Sequence, residues 1–214
     1  MALRLRWKLA LGLLVVIVAT TLTSRFWTAQ IGRSLTCTES VAPSDAILVE
    51  NFDSHYMVFE RAAALEQNGF ASIALVPVEA SSNPNVPNAV WLGVADVMAR
   101  YARLRKWRAI PIGLIEPISL NAALQIRERL RADGIKSIIV VAPRYRSGRS
   151  LLVYRATFGA VGIAVHCVPV PGQGTPQTWA RTWHGIQEVV QEFIKLQYYR
   201  FYVMPFVLPR VAGR

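Results

Sequence analysis

The chain has 214 residues, 53% of them hydrophobic, and a formal net charge of +11. This length predicts one domain of ordinary size, with a core large enough to be stable unaided. A strongly positive chain suits an anionic partner, but the sequence contains no helix-turn-helix, zinc-finger or RNA-binding signature. We therefore expect no nucleic-acid partner, and we consider an anionic lipid or a phosphorylated small ligand instead.

The first apolar stretch of the chain, Leu9 to Ser24, carries no charge. It is shorter than the roughly 20 residues that cross a bilayer, but Trp7, Lys8 and Trp27 can extend the span from either side. Since basic residues precede this stretch, residues 1–27 are predicted to form a single-pass signal anchor in the inner membrane, with the N-terminus in the cytoplasm. The alternative is a cleaved secretory signal, which the lack of a small-x-small cleavage site disfavours.

The polar, irregular segment 28–43 is predicted to be a stalk, and residues 44–214 form the folded domain. The predicted topology places this domain in the periplasm or another extracytoplasmic compartment. Cys37 and Cys167 would then lie in an oxidising environment, where they could form a disulfide. Two buried thiols explain this pair of cysteines equally well, so the sequence leaves both alternatives open.

Strands and helices are predicted to alternate along the domain. Short buried runs predict strands at 45–50, 72–76, 110–115, 136–142 and 163–170. Helical spacing of apolar residues predicts helices at 54–68, 90–104, 119–133, 147–158 and 179–204. This alternation predicts an α/β fold, a three-layer Rossmann-like parallel sheet of about five strands with right-handed crossovers.

Three predicted strand-to-helix loops carry polar residues where a ligand would lie. The carboxyl ends of parallel strands meet at one edge of the sheet, and helix N-termini there attract anions. The candidate residues are Asn51 and Asp53 in the first loop, Glu116, Ser119 and Asn121 in the second, and Arg146, Ser147 and Arg149 in the third. Because guanidinium groups match phosphate and carboxylate oxygens in pairs, the third loop is predicted to bind an anion.

Each of these loops also has a purely structural explanation. Ser119 and Asp53 are residue types that commonly cap helix N-termini, and Arg144 is expected to face solvent. The surrounding sequence is basic, with thirteen Arg or Lys residues and three acids between Arg100 and Arg155. Part of that charge fits a solvated helix face rather than a binding site.

The sequence contains no complete catalytic, cofactor or metal motif. There is no GxGxxG, Walker A or GxSxG pattern, and the three histidines lack metal-ligand spacing with the cysteines. We therefore predict no cofactor and no metal. His55, on the first loop, and His184, early in the last helix, are placed where they can reach the pocket, whereas His166 is predicted to be structural.

Three features in order resemble the YdcF/SanA/ElyC-like family of bacterial envelope proteins. They are the strand Ser44–Val49 followed by Glu60–Ala63, the pattern Glu116-x-x-Ser119-x-Asn121, and the strand with its arginine-rich loop ending in Arg149. The resemblance covers about residues 44–203. It implies a Rossmann-like domain behind one membrane helix, a link to cell-wall and envelope-polysaccharide integrity, and S-adenosylmethionine as a ligand considered within the family.

The chain departs from the family pattern at several positions. Glu50 and Asn51 stand where the family has glycines after the first strand, and Arg146 stands in place of a histidine. The residues after Asn121 also differ. A histidine titrates near neutral pH, whereas arginine is a permanent cation. The chain is therefore expected to bind the family's class of ligand without necessarily performing its chemistry.

The C-terminal segment from Phe193 to Arg210 is rich in aromatic residues and contains no acid. Tyr and Trp concentrate at membrane interfaces, and a basic aromatic helix can lie among lipid headgroups. The alternative is a terminal helix packed on the sheet with its Tyr hydroxyls at the rim.

The leading hypothesis is a membrane-anchored envelope protein that binds an anionic ligand, such as a lipid-linked polysaccharide or peptidoglycan intermediate. If it is an enzyme, we expect a hydrolase or transferase at a phosphate or glycosyl bond, with Glu116 as general base and Arg146 and Arg149 holding the anion. The alternatives are a non-enzymatic scaffold of a polysaccharide machine and a binder of S-adenosylmethionine or a nucleotide.

Overall fold

A computed structural model describes residues 2–52, 55–172 and 174–212 of the chain. Five parallel strands form one sheet: β1 (Ala46–Val49), β2 (Ala74–Glu79), β3 (Trp107–Ile112), β4 (Ser137–Pro143) and β5 (Ala164–Val170). The helices around and before the sheet are α1 (Ala2–Ser34), α2 (Tyr56–Gln67), α3 (Ala89–Tyr101), α4 (Ile118–Ala132) and α5 (Arg144–Phe158). The chain ends in α6 (Trp183–Tyr198), a π-helical segment (Tyr199–Val207) and α7 (Leu208–Ala212).

The strand order is β3-β2-β1-β4-β5, and all the pairings are parallel. The predicted α/β fold with a five-stranded, Rossmann-like parallel sheet is thus confirmed. The strand order reverses between β1 and β4, which pair from Ala46 with Ile138 to Val49 with Val141. In open parallel sheets, ligands bind in the crevice that such a reversal leaves at the carboxyl ends of the strands.

The sheet is covered on both faces because its central strands are apolar on both sides. Leu48 and Val140 pack with α4 and α5, whereas Ile47, Val49 and Ile139 pack with α2 and α3. All five of these strand residues are fully buried. Continuous apolar strands of this kind are typical of parallel sheets with helices on both faces.

Four predicted elements differ from those observed. Strand β2 runs from Ala74 to Glu79, whereas it was predicted at 72–76. Strand β3 runs from Trp107 to Ile112, so both of its ends lie three residues before the predicted ends at 110 and 115. Helix α5 begins at Arg144, so the arginine-rich segment forms the first turns of a helix rather than a loop. The final helix is divided into three pieces, and its π-helical part contains Pro205, whose ring cannot fit a regular α-helical ladder.

The segment predicted as a stalk packs against the domain. Helix α1 continues to Ser34, and Leu35 is completely buried in a small cluster with Tyr145 and Trp179. The indole Nε1 of Trp179 donates a hydrogen bond of 2.8 Å to the carbonyl oxygen of Thr28. Although this stretch is mostly polar, its few apolar residues therefore attach it to the domain.

Cys37 and Cys167 form a disulfide, with an S–S distance of 2.11 Å. Of the two alternatives that the sequence left open, the structure therefore shows the paired one. The bond joins the segment after α1 to the edge strand β5, and the carbonyl oxygen of Cys167 also accepts a hydrogen bond from the backbone of Ser40.

Within the described residues, no helix combines the length and the apolar character needed to cross a membrane. The predicted N-terminal membrane anchor is therefore unsupported by the structure.

Candidate functional site

The candidate site lies at the reversal of strand order, where three chain segments meet. Glu50 follows β1, and Glu116 lies in the β3–α4 connection. Ser119 lies in the first turn of α4, and Arg146 and Arg149 lie in the first turns of α5. Helix α6 closes the crevice from the side. The same edge of the sheet thus contains most of the residues that the sequence singled out.

Arg149 is the central cation of this site and is almost completely buried. Its Nη2 lies 2.9 Å from Oε2 of Glu192, and its guanidinium carbon lies 5.4 Å from the ring centre of Tyr199. Its Nη1 donates a hydrogen bond to the hydroxyl of Ser119. Since a buried charge is stable only when it is paired, these contacts fix both the position and the charge of Arg149.

The carboxylate of Glu192 lies close to cationic side chains from two helices, α5 and α6. Besides Arg149, its carboxylate lies 3.2 Å from Nζ of Lys195 and 4.0 Å from Nε of Arg146. Burial alone would raise the pKa of Glu192, but the charges of Arg149 and Arg146 outweigh that effect, so its pKa is lowered. Glu192 is therefore the charged group that holds the arginines in place.

Ser119, in the first turn of α4, joins that helix to the C-terminal segment. Its backbone N–H donates a 3.0 Å hydrogen bond to the hydroxyl of Tyr199, and its own hydroxyl accepts from Arg149. A hydroxyl that accepts one hydrogen bond keeps its proton for donation. Ser119 can thus still donate to a ligand in the crevice.

A cavity of about 340 Å³, here called the first cavity, opens at this network. Its polar wall consists of Glu116, Ser119, Arg146, Arg149 and Lys195. Its apolar wall is formed by Phe52, Leu114, Ile118 and the rings of Tyr198 and Tyr199. A few converging polar groups in a largely apolar pocket are typical of small-molecule sites.

Glu50 is a buried acid next to the arginines. Its Oε1 accepts a 2.6 Å hydrogen bond from Ser150, whereas its Oε2 has no hydrogen-bond partner among the described residues. Burial raises the pKa of this carboxyl group, and Arg146 and the Ser150 hydroxyl oppose the rise only in part. Glu50 thus places a buried carboxyl group, which tends to keep its proton, directly after β1.

The structure brings four of the predicted site residues together and separates the others. Glu116, Ser119, Arg146 and Arg149 line the first cavity. Asn51 lies beside it and lines a neighbouring cavity of about 170 Å³. Asp53 lies outside the described residues.

Asn121 and Ser147 do not line the first cavity or its neighbour, and their role in ligand binding stays a prediction. The amide of Asn121 donates to the carbonyl oxygens of Ile115, at 3.2 Å, and Pro117, at 3.4 Å. The hydroxyl of Ser147 donates to the carbonyl oxygen of Arg144 and accepts from the backbone of Cys37. Asn121 thus closes a turn, and Ser147 holds the N-terminal segment.

The two histidines predicted to reach the pocket lie together on a second cavity. This cavity, of about 300 Å³, shares Arg146 and Lys195 with the first and contains both His55 and His184. Within the described part of the chain, no cluster of three or more His, Cys, Asp or Glu residues is arranged to hold a metal ion.

A further cavity, of about 790 Å³, lies at the opposite edge of the sheet. Its carboxylates are occupied in structural contacts. Asp45 accepts from the backbones of Lys136 and Ser137, and Glu66 accepts from those of Arg105 and Lys106. This wide, shallow depression lies away from the carboxyl ends of the strands, and the smaller cavities at the strand reversal are the better candidates.

The most important residues that the sequence interpretation missed belong to the C-terminal helix. Lys195 and Tyr199 were placed in a lipid-facing or packed segment, and Glu192 was assigned no role, yet all three complete the site. A signal was present. Val189, Glu192, Leu196 and Tyr199 follow helical spacing, so Glu192 is a single acid on an otherwise apolar face. An acid at such a position needs a buried cation as its partner.

Comparisons of this chain with protein-family models, with curated proteins and with solved structures find no match. The resemblance to the YdcF/SanA/ElyC-like family therefore stays a prediction from the sequence.

Proposed function

We propose that this chain binds a small phosphorylated or carboxylate-bearing ligand in the first cavity. The observation that carries the proposal is the convergence of Arg146, Arg149 and Lys195 on one crevice, beside the Ser119 hydroxyl. Arginine and lysine are the usual protein partners of phosphate, and the crevice lies where parallel sheets bind their ligands.

The charge balance of the crevice supports an anion rather than a cation. The carboxylates of Glu192 and Glu116 offset two of the three positive charges, and the pKa of Glu50 is raised by burial, which favours its uncharged form. Positive charge is therefore in excess around Arg146 and Lys195. Arg149, fixed by Glu192 and Ser119, serves mainly to position this wall, whereas Arg146 and Lys195 would contact the ligand.

If the protein is an enzyme, we propose that it is a hydrolase or transferase acting on a phosphate or glycosyl bond. Glu116 is exposed and lines the same cavity as Ser119 and the cations. A carboxylate placed there can accept a proton from an attacking water or hydroxyl while the arginines stabilise the developing charge.

We further propose an extracytoplasmic location at a membrane, as for a protein that handles lipid-linked polysaccharide or peptidoglycan intermediates. The disulfide between Cys37 and Cys167 supports an oxidising compartment. The exposed aromatic side chains of the C-terminal segment support contact with lipid. The predicted single-pass anchor over residues 1–27 belongs to this proposal.

A second candidate function is a non-enzymatic scaffold of an envelope polysaccharide machine. The specific observation in its favour is that Arg149 is already held by Glu192, Ser119 and Tyr199. When the central cation of a site is already paired within the protein, the site can be a rigid structural element rather than a ligand-binding site.

Ligand-induced stabilisation of the full chain distinguishes these candidates. Inorganic phosphate, pyrophosphate, undecaprenyl phosphate and S-adenosylmethionine would each be tested for a shift in Tm, beside Arg146→Gln and Arg155→Gln. Arg155 is an exposed arginine at the far end of the same helix and serves as the control. Ligand at a hundredfold excess over Kd should stabilise the native state by about 2.7 kcal/mol.

We expect a phosphate-bearing ligand to stabilise the wild type and Arg155→Gln but not Arg146→Gln. The absence of any shift, or an equal shift in both variants, would reject the anion site and favour the scaffold. With a ligand in hand, Glu116→Gln should keep binding and lose turnover if Glu116 is the general base. Unchanged turnover would rule out that role.

A further inference from the structure

Two residues that line the second cavity each have a buried polar atom without a hydrogen-bond partner in the described part of the chain. Within the described residues, neither Oε2 of Glu50 nor Nδ1 of His55 has one, and both residues line this cavity. Buried polar atoms are nearly always paired in native proteins, so each exception needs an explanation. Glu50 is 2% exposed, which excludes ordinary solvation of its carboxyl group.

The rest of the second cavity is lined by groups that bind hydroxyls. Helix α6 contributes His184, Gln187, Glu188 and Gln191. Their spacing of three and four residues places them on one face of the helix. Amide, imidazole and carboxylate groups together both donate and accept hydrogen bonds, as a hydroxyl group does.

We propose that the second cavity holds the hydroxyl-bearing part of a phosphorylated sugar or polyol, with its phosphate against Arg146 and Lys195. This inference rests on the proposed function, because those two cations belong to both cavities. A ligand with its anion at that junction can extend from one cavity into the other.

The chemistry of the lining excludes the other kinds of ligand portion. A second anion would face the carboxylates of Glu188 and Glu192. An apolar group would take the side chains of His184, Gln187 and Gln191 out of water without giving them a hydrogen-bond partner. A hydroxyl can donate to and accept from the exposed side chains of His184, Gln187 and Gln191, which line the same cavity.

Calorimetric titration of the full chain with three phosphates tests the inference. Inorganic phosphate reports the anion site alone, butyl phosphate adds an apolar tail, and glucose 1-phosphate adds a hydroxylated ring. The variants are Gln187→Ala/Gln191→Ala and, as a control, Gln197→Ala. Gln187 and Gln191 are exposed, so their replacement leaves the fold intact, and Gln197 lies on the same helix but does not line the cavity.

We expect glucose 1-phosphate to bind about tenfold more tightly than butyl phosphate, which corresponds to one or two net hydrogen bonds. The double variant should lose this advantage and keep its affinity for inorganic phosphate, whereas Gln197→Ala should retain both. If inorganic phosphate binds but glucose 1-phosphate gains nothing over butyl phosphate, the second-cavity inference is overturned and the anion site stands. The same holds if the advantage survives in the double variant. If none of the three phosphates binds, the proposed function fails and the inference fails with it.

Discussion

Nη2 of Arg149 and Oε2 of Glu192 lie 2.9 Å apart, although the two residues are separated by 43 positions and belong to different helices. Both side chains are more than nine-tenths buried. This ion pair joins α5, at the strand reversal, to α6, which closes the crevice. Because Glu192 also faces Arg146 and Lys195, it sets the position of the cations that the proposed ligand would meet.

Glu192→Gln should therefore destabilise the fold and disturb the site together. Loss of one partner leaves the guanidinium of Arg149 buried without its counter-charge, and breaking a buried pair in this way costs roughly 3–5 kcal/mol. Urea unfolding would measure the loss of stability. Glu60→Gln, at an exposed acid of α2, is the control and should change the free energy of unfolding by less than about 0.5 kcal/mol.

The pH dependence of this effect has a defined sign. The pKa of Glu192 is lowered in the folded chain, so its contribution to stability is present above the pKa of an unfolded glutamate. That contribution is lost as the pH falls through the lowered pKa. The wild type and Glu192→Gln should thus become more alike in acid, and a stability gap that widened in acid would contradict this assignment.

Glu50→Gln should have the opposite dependence on pH. The pKa of Glu50 is raised by burial, so its protonated form favours the fold and that stabilisation is lost as the pH rises through the raised pKa. Glutamine stays neutral and can still accept the hydrogen bond from Ser150. From about pH 4 upward, the Tm of the variant should therefore rise relative to that of the wild type.

Thermal denaturation of both proteins across a pH series would measure this difference. A difference in Tm that stays constant, or that falls as the pH rises, would show that Arg146 and Arg149 keep Glu50 ionised in the fold. Glu60→Gln again provides the control, since its exposed carboxyl group should give no trend.

The sequence predicted the fold well because the sheet depends on local patterns. Buried strands such as Ile138–Ala142 are continuous apolar runs, and the helices between them end at Gly69 and Gly134, which have φ values of +76° and +71°. Because strands and helices alternate and crossovers are right-handed, only a few sheet topologies are possible. The same logic placed Glu116, Ser119, Arg146 and Arg149 at one edge of the sheet.

The partners of those residues could not be predicted in the same way. The contact between Arg149 and Glu192 depends on how α6 returns to the crevice, and no local pattern fixes that path. The partner of Ser147 was equally unpredictable, because its hydroxyl accepts a hydrogen bond from the backbone N–H of Cys37, which is 110 positions away. Contacts between residues so far apart in the sequence depend on tertiary packing, which residue types and their spacing do not predict.

Gly148 illustrates a residue whose role is packing rather than ligand binding. Its N–H donates a 2.8 Å hydrogen bond to the carbonyl oxygen of Leu35, and a Cβ at this position would lie 2.7 Å from that same oxygen. Backbone atoms cannot move aside as the end of a flexible side chain can. The glycine of the arginine-rich segment therefore permits the N-terminal segment to approach α5.

Gly148→Ala should displace the segment around Leu35 and destabilise the protein by about 1–3 kcal/mol, as overpacking does elsewhere. Chemical denaturation would measure the loss. Gly159→Ala is the matched control, because a Cβ there meets no atom within 4 Å and the glycine already has a right-handed helical conformation. Equal stability of the two variants would show that the N-terminal segment does not pack on α5 in solution.

The C-terminal segment exposes a stripe of aromatic residues, here called the aromatic stripe: Tyr198, Phe201, Tyr202 and Phe206. Phe201 is 67% exposed, although its buried neighbour Val203 joins the core. Lys195, Arg200 and Arg210 flank the stripe, and no acid follows Glu192 in the sequence. Exposed aromatic groups beside basic side chains match an anionic lipid surface.

Phe201→Ser/Phe206→Ser should weaken binding of the full chain to vesicles of phosphatidylglycerol and phosphatidylcholine by about tenfold or more, because each buried aromatic ring contributes more than about 1 kcal/mol. Sedimentation with vesicles would measure the affinity. Val97→Ser/Tyr101→Ser removes comparable exposed apolar area from α3 and should bind as the wild type does. Since part of the attraction is electrostatic, added salt should weaken binding of the wild type. Equal vesicle affinity of the two double variants would show that the aromatic stripe does not contact lipid, and the stripe would then be a surface for a protein partner.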